Sequence, residues 1–141
     1  MREVKRSALV NQSPAKLFEL INDIESYPQF LPWVTHARVD SRTPQEIVAT
    51  LGLRQGALHG EFTTRNTLVA DRSVHMRLVS GPFRALEGQW LLTPVEDGCR
   101  VDLTMRFAFR SPLTGVLFEP KFAATVGSLV DAFVARARGR A

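Results

Sequence analysis

The stretch Leu86-Glu87-Gly88-Gln89-Trp90-Leu91-Leu92-Thr93-Pro94-Val95-Glu96-Asp97-Gly98-Cys99-Arg100-Val101-Asp102-Leu103-Thr104-Met105-Arg106-Phe107-Ala108-Phe109 decides the fold. Asp97-Gly98 near its centre favours the type I′ turn, whose two positive-φ positions suit a two-residue hairpin loop. With Glu96 opposite Cys99, the register sets Leu92 beside Leu103, Trp90 beside Met105, Gly88 beside Phe107 and Leu86 beside Phe109. All of these except Gly88 are apolar. The other face pairs Thr93 with Asp102, Leu91 with Thr104, Gln89 with Arg106 and Glu87 with Ala108. Because side chains alternate with period two, a slip of one residue would expose the apolar set to water. One face of this hairpin needs a cover.

The C-terminus supplies it. Phe118, Phe122, Val126, Leu129 and Phe133 are spaced four, four, three and four residues apart, which is one stripe on a helix within residues 113–138. Pro120 cannot donate its backbone N–H, so the helix either begins there or starts earlier and kinks. Upstream of the hairpin, segments near 34–42, 45–54, 57–69 and 73–80 read as strands separated by turn formers. Residues 4–10 alternate as a further strand, and Ser13-Pro14 is an N-cap with proline at the first helical position. Leu17, Phe18, Leu20, Ile21 and Ile24 then predict about three turns of amphipathic helix, broken by Tyr27-Pro28 and Leu31-Pro32. The expectation is one α+β domain over 1–141, a curved antiparallel sheet packed around a long C-terminal helix.

Composition narrows the function classes. The 141 residues are 45% hydrophobic and 23% charged, ordinary for a globular chain. Cys99 is the only cysteine, so an internal disulfide and a cysteine-based zinc site are excluded. No apolar run approaches the roughly 20 residues that span a bilayer, and nothing behind Met1-Arg2-Glu3-Val4-Lys5-Arg6 resembles a signal peptide. A cytoplasmic protein is expected, with peripheral contact at the inner face of the membrane still open. The net charge is +4, and 15 of the 18 basic residues are arginine. Such a balance favours polyanions, RNA or anionic lipid, although arginines spread from Arg2 to Arg140 also describe a merely solvated surface.

Catalytic signatures are poor. There is no G-x-S-x-G, no H-E-x-x-H and no phosphate-cradling glycine loop. His36, His59 and His75 fall in separate strands without metal-ligand spacing, so no metal is expected. Glu61, Arg65 and His75 are the only residues that tempt an acid–base reading.

Three blocks carry more information: Asp23-Ile24-Glu25-Ser26-Tyr27-Pro28-Gln29-Phe30-Leu31-Pro32-Trp33, Gly81-Pro82-Phe83-Arg84-Ala85-Leu86-Glu87-Gly88-Gln89-Trp90, and Phe107-Ala108-Phe109-Arg110-Ser111. With Phe62-Thr63-Thr64-Arg65, they make nearly the whole chain resemble the RatA / coenzyme Q-binding branch of the START-like (SRPBCC, polyketide cyclase/dehydrase-like) superfamily. Where that family often has cysteine after the tryptophan of the first block, this chain has Val34. The resemblance implies a helix-grip fold with a cavity between sheet and last helix. It also implies two activities: binding of a polyisoprenoid quinone such as ubiquinone in support of respiration, or toxin-like binding of the large ribosomal subunit that hinders subunit joining.

The expected function is non-enzymatic binding of a hydrophobic ligand, a quinone or other lipid, with no required cofactor. Its cavity walls would be Trp33, Phe62, Met76, Leu78, Phe83, Trp90, Leu103, Met105, Phe107, Phe118, Phe122, Val126, Leu129 and Phe133, with Glu61 and Arg65 as polar groups. Gly52, Gly60 and Gly88 would leave room where larger side chains fill an interior. The runner-up is ribosome association through Arg106, Arg110, Arg136, Arg138 and Arg140, without DNA binding. A polyketide cyclase or aromatase is the third reading, and it lacks a convincing acid–base pair.

Overall fold

The computed structural model describes residues 1–139. Seven antiparallel strands, β1 (Arg2–Val10), β2 (Val34–Arg42), β3 (Glu46–Gln55), β4 (Leu58–Val69), β5 (Ser73–Ser80), β6 (Phe83–Val95) and β7 (Gly98–Phe109), form one open sheet in the order β1-β7-β6-β5-β4-β3-β2. From β2 to β7 the sheet is a meander of hairpins, while β1 reaches across to pair with β7. Register shifts between Val34 and Ala37, Val39 and Ser41, Thr63 and Thr64, and Phe83 and Ala85 mark bulges. Bulges bend and twist the strands that carry them, and so let the sheet wrap around a helix.

Helix α1 (Pro14–Asn22) begins where the sequence places it, with Ser13 Oγ accepting from Lys16 N. It stops two residues short of Ile24. Ser26 N and Oγ both turn back to Asp23, a local side-chain alternative to further helix, and a 3-10 segment follows over Ile24–Gln29. Helix α2 (Pro112–Gly127) is capped by Ser111, whose Oγ accepts from Thr114 N, with Pro112 at the first position. It therefore starts well before Pro120. Its break from α3 (Leu129–Gly139) falls at Ser128.

The hairpin of β6 and β7 keeps its faces but not its register. Val95 pairs with Gly98, so Trp90 faces Leu103, Gly88 faces Met105, Leu86 faces Phe107 and Glu87 faces Arg106. The chain is two residues out of the expected pairing, and two is the side-chain period. The apolar pattern fixes parity and is blind to a slip of two. The loop is Glu96-Asp97, with Asp97 at φ 64 and Glu96 outside the positive-φ set. Gly98 serves another purpose: a Cβ there would sit 2.0 Å from the carbonyl oxygen of Val10, so glycine lets the end of β1 close against β7.

The inner face of the sheet and the helical stripe bury one continuous apolar core. Phe122 meets Phe107 at 4.8 Å and Phe83 at 5.3 Å between ring centroids, and Phe83 stacks on Phe109 at 4.8 Å.

Candidate functional site

The site is the space that remains between the inner face of the sheet and the two C-terminal helices. Strand β4 contributes Phe62, Thr64 and Asn66; β3 adds Ala49 and Leu51; β5, β6 and β7 add Met76, Leu86, Trp90 and Met105. Phe122, Val126, Leu129 and Phe133 close it from the helices, and Ile24, Tyr27, Leu31 and Trp33 form one end. The enclosed volume is about 70 Å³. Bulk water takes about 30 Å³ per molecule, and small-molecule sites run to roughly 300–1,000 Å³. In this conformation the space is a nearly filled interior with a small apolar remainder.

The filling is soft at one place. A Cβ on Gly88 would lie 2.6 Å from Met105 Sδ and 2.9 Å from Met76 Cε, so two thioethers occupy the room that this glycine leaves. Methionine has three rotatable bonds and repacks at little cost. Tyr27 is fixed by contrast: its hydroxyl donates to the Ile21 carbonyl, and its ring meets Phe133 edge-on at 5.4 Å. Burial, with Asp23 nearby, pushes its phenol well above the usual value, so it stays neutral. It is the only titratable side chain among the described lining residues.

Two polar side chains face this apolar space. Thr64, 9% exposed, donates its hydroxyl to Asn66 Oδ1 at 2.8 Å, and Asn66 is 5% exposed. The Asn66 amide nitrogen donates to no partner among the described residues. Asn66 lines the space, so that nitrogen is placed where an acceptor fits. Nearby, Gln55 Nε2 at the end of β3 donates to Thr125 Oγ1 and, at 3.4 Å, to the Lys121 carbonyl. This clasp holds α2 over the sheet.

Residues 10–134 match the protein family described as polyketide cyclase / dehydrase and lipid transport. The chain belongs to that family. Within it, the ribosome association toxin RatA of Escherichia coli (strain K12) is 37% identical over 139 residues, which cover 98% of this chain and 88% of that protein. The mitochondrial coenzyme Q-binding protein COQ10 of Drosophila melanogaster is 25% identical over 96% of this chain and 58% of its own length. Among solved structures, the Zhui aromatase/cyclase from Streptomyces sp. R1128 superposes with a TM-score of 0.86 at 16% identity, over 99% and 94% of the two chains. A START superfamily protein from Mycobacterium smegmatis gives 0.82 at 19% identity, over 99% of both chains. The α+β helix-grip, START-like fold expected from the sequence is thus the fold of this family member.

Of the wall residues expected in this polyketide cyclase / lipid transport relative, Trp33, Phe62, Met76, Trp90, Met105, Phe122, Val126, Leu129 and Phe133 line the space. Phe83, Leu103 and Phe107 are buried in the core beside it, while Leu78 and Phe118 are partly buried against that core. Glu61 and Arg65 lie on the opposite face, because Phe62 points inward and its neighbours alternate outward. Glu61 accepts from His36 Nε2 at 2.5 Å and Arg38 Nη1 at 3.4 Å, and chiefly the His36 bond holds its carboxyl below the ordinary 4.5. Arg65 Nε sits 3.8 Å from Glu46. The parity that expels Glu61 and Arg65 brings in Thr64 and Asn66, two polar residues at inward positions that the sequence reading passed over.

Two of the three glycines expected to open the interior do not. Gly52 makes room for Thr35 and His36 on the outer face, and Gly60 is exposed with nothing within 4 Å of its missing side chain. The arginines expected to meet RNA are dispersed. Arg106 lies on the outer sheet face, 3.7 Å from Glu87, and Arg110 donates to the Phe83 carbonyl beyond the end of β7. Arg136 is drawn into the fold: it donates to Gln29 Oε1 and covers the Phe30 ring at 5.1 Å. Arg138 is exposed at the end of α3, and Arg140 lies outside the described residues. Among the described residues no group of three His, Cys, Asp or Glu side chains gathers as a metal site, and no helix is long and apolar enough to cross a membrane.

Proposed function

We propose that the protein binds an apolar small molecule bearing a carbonyl group, with a polyisoprenoid quinone as the ligand of best fit, and that it does so without transforming it. The observation that carries this reading is Asn66, which lines a largely apolar space and whose amide nitrogen has no partner among the described residues. A quinone oxygen accepts that hydrogen bond, while Trp90 and Phe133, whose rings meet at 5.1 Å, offer flat surface to the ring. Room is made by swinging Met76 and Met105 off Gly88. The Drosophila relative, named as a coenzyme Q-binding protein, supports the same ligand class. Tyr27, tied to the Ile21 carbonyl, offers no proton-transfer pair for a cyclase reaction. Solvent extraction of purified protein with mass spectrometry, joined to quinone titration of Trp33 and Trp90 fluorescence, tests the proposal. A protein that is empty and whose fluorescence does not respond to quinone refutes it.

Ribosome association is the second reading, and the E. coli relative carries that activity in its name. One geometric observation favours it. Arg65 on β4 stands directly opposite Arg77 on β5, and Arg106 flanks them across Glu87 on the same outer face. Like charges opposite each other destabilise a sheet, and a phosphate between them removes the repulsion. Sucrose-gradient profiles with added protein test this reading: co-sedimentation with the large subunit supports it, and unchanged profiles with all protein at the top refute it.

A further inference from the structure

Helix α2 opens with Pro112-Leu113-Thr114-Gly115-Val116-Leu117-Phe118, seven residues without a charge. Leu113, Val116 and Leu117, at i, i+3 and i+4, form a single stripe that is 68%, 77% and 54% exposed. Phe118 turns the other way and packs on the core. The first two turns are therefore apolar on both sides, whereas a surface helix ordinarily shows water a polar face. Nothing in the fold requires that outer stripe.

What lies beside it indicates the occupant. A groove at the start of α2 is lined by Arg84, Arg110, Ser111 and Val116, with Glu119 as its one acid. Neither arginine is ion-paired among the described residues; the Arg110 side chain donates only to the Phe83 carbonyl, and Arg84 is exposed. Apolar side chains standing free next to unpaired guanidinium groups match the section through an anionic bilayer, with acyl chains below and phosphates above. A nucleic acid offers the phosphates but no apolar layer. A second copy of this chain would bring its own Arg84 and Arg110 toward this pair, against a net charge of +4 on each partner.

We propose that the first two turns of α2 dock on an anionic phospholipid surface, with Leu113, Val116 and Leu117 entering the acyl boundary and Arg84 and Arg110 meeting lipid phosphates. The same helix closes the interior through Phe122 and Val126, so docking sets the wall of the cavity against the bilayer. The proposal does not rest on the ligand reading, since an empty protein docks as well as a loaded one.

Vesicle co-sedimentation, with no quinone present, tests it on the full chain. Wild type should sediment with vesicles of phosphatidylcholine plus phosphatidylglycerol and much less with phosphatidylcholine alone. Leu113→Gln/Leu117→Gln should weaken binding by roughly tenfold per side chain. Arg84→Gln/Arg110→Gln should weaken it by about fivefold per arginine and flatten its salt dependence. The leucine positions are exposed, so those variants keep the wild-type melting temperature, and equal melting is the check that they fold. Three outcomes overturn the proposal: wild type left in the supernatant with anionic vesicles, both variants binding like wild type, or a wild-type dimer in solution that the leucine changes abolish.

Discussion

Replacing Thr64 with valine and Asn66 with leucine together should move stability and ligand binding in opposite directions. In the free protein these side chains bury one mutual hydrogen bond of 2.8 Å, and the Asn66 amide nitrogen borders the space without a partner among the described residues. The hydrogen bond contributes about 0.5–1.5 kcal/mol, and the added apolar burial at both positions offsets its loss, since replacing both partners by apolar groups of the same shape is nearly neutral or stabilising. Removing both with apolar residues of similar shape therefore leaves a net gain of roughly 0–2 kcal/mol. For 141 residues the unfolding entropy is about 0.3 kcal/mol/K, so the melting temperature should rise by about 0–7 °C. The ligand loses its only amide partner and strands a carbonyl in apolar surroundings, a loss of roughly 1–3 kcal/mol, or about 5–150-fold in Kd. Thermal melting reports the first quantity, and quinone titration of tryptophan fluorescence reports the second. A double variant that melts more than about 5 °C lower yet binds as before would show that the pair holds the sheet together and does not read the ligand.

At the β6–β7 turn, Gly98→Ala should destabilise by about 1–3 kcal/mol, because its Cβ meets the Val10 carbonyl. Asp97→Gly should be neutral or stabilising by up to about 1 kcal/mol, since it relieves a left-handed residue; urea melts of both variants give the comparison, and the reverse order of stabilities would return the loop to Asp97-Gly98. Stability should be level from neutrality down to about pH 5 and then decline. The Glu61 and Glu87 carboxyls lie below their ordinary 4.5, held chiefly by hydrogen bonds to His36 and His75, and Asp40 lies below 3.8, held chiefly by Thr50. Depressed carboxyls stabilise above the unfolded value and lose that contribution as pH falls through the folded one. Urea midpoints at stepped pH, with Glu61→Gln/Glu87→Gln showing a shallower decline, check the assignment. Cys99 is fully buried, and burial raises its thiol, so a thiol reagent should label it only as fast as the protein unfolds; rapid labelling of the native state would contradict its placement.

The fold was legible because its signals are periodic. The alternation along β6 and β7 named the covered face, and the four-four-three-four spacing from Phe118 to Phe133 named the cover. Parity and register are separate quantities, however, and only the first is written in hydrophobicity. The pairing of Trp90 with Leu103 depends on where β1 ends, because Gly98 answers to Val10 rather than to the turn beside it. A contact between residues so far apart in sequence leaves no local trace. The candidate site shows the same division. Its apolar walls follow from periodicity, but Glu61 and Arg65 attracted notice as charged residues near an aromatic, and charge does not report facing. Counting in twos from Phe62 would have reached Thr64 and Asn66 instead. The fate of Arg136, drawn in by Gln29 and Phe30, needed the docking of α3 against the 3-10 segment, a contact between residues 107 apart that no window of sequence contains.

The pairing of β1 with β7 fixes when this chain can finish folding. Val10 meets Cys99 and Arg2 meets Phe107, whereas every other neighbouring pair of strands is joined by a short turn. On a ribosome adding roughly 5–20 residues per second, the first strand waits about 4–18 s for its partner to be made. The growing meander from β2 to β6 can zip up as it emerges, yet its last edge stays open until the first ten residues return. Closure of β1 onto β7, followed by arrival of α2 and α3, is therefore a late event, and until then the apolar face of the meander stays open to chaperones.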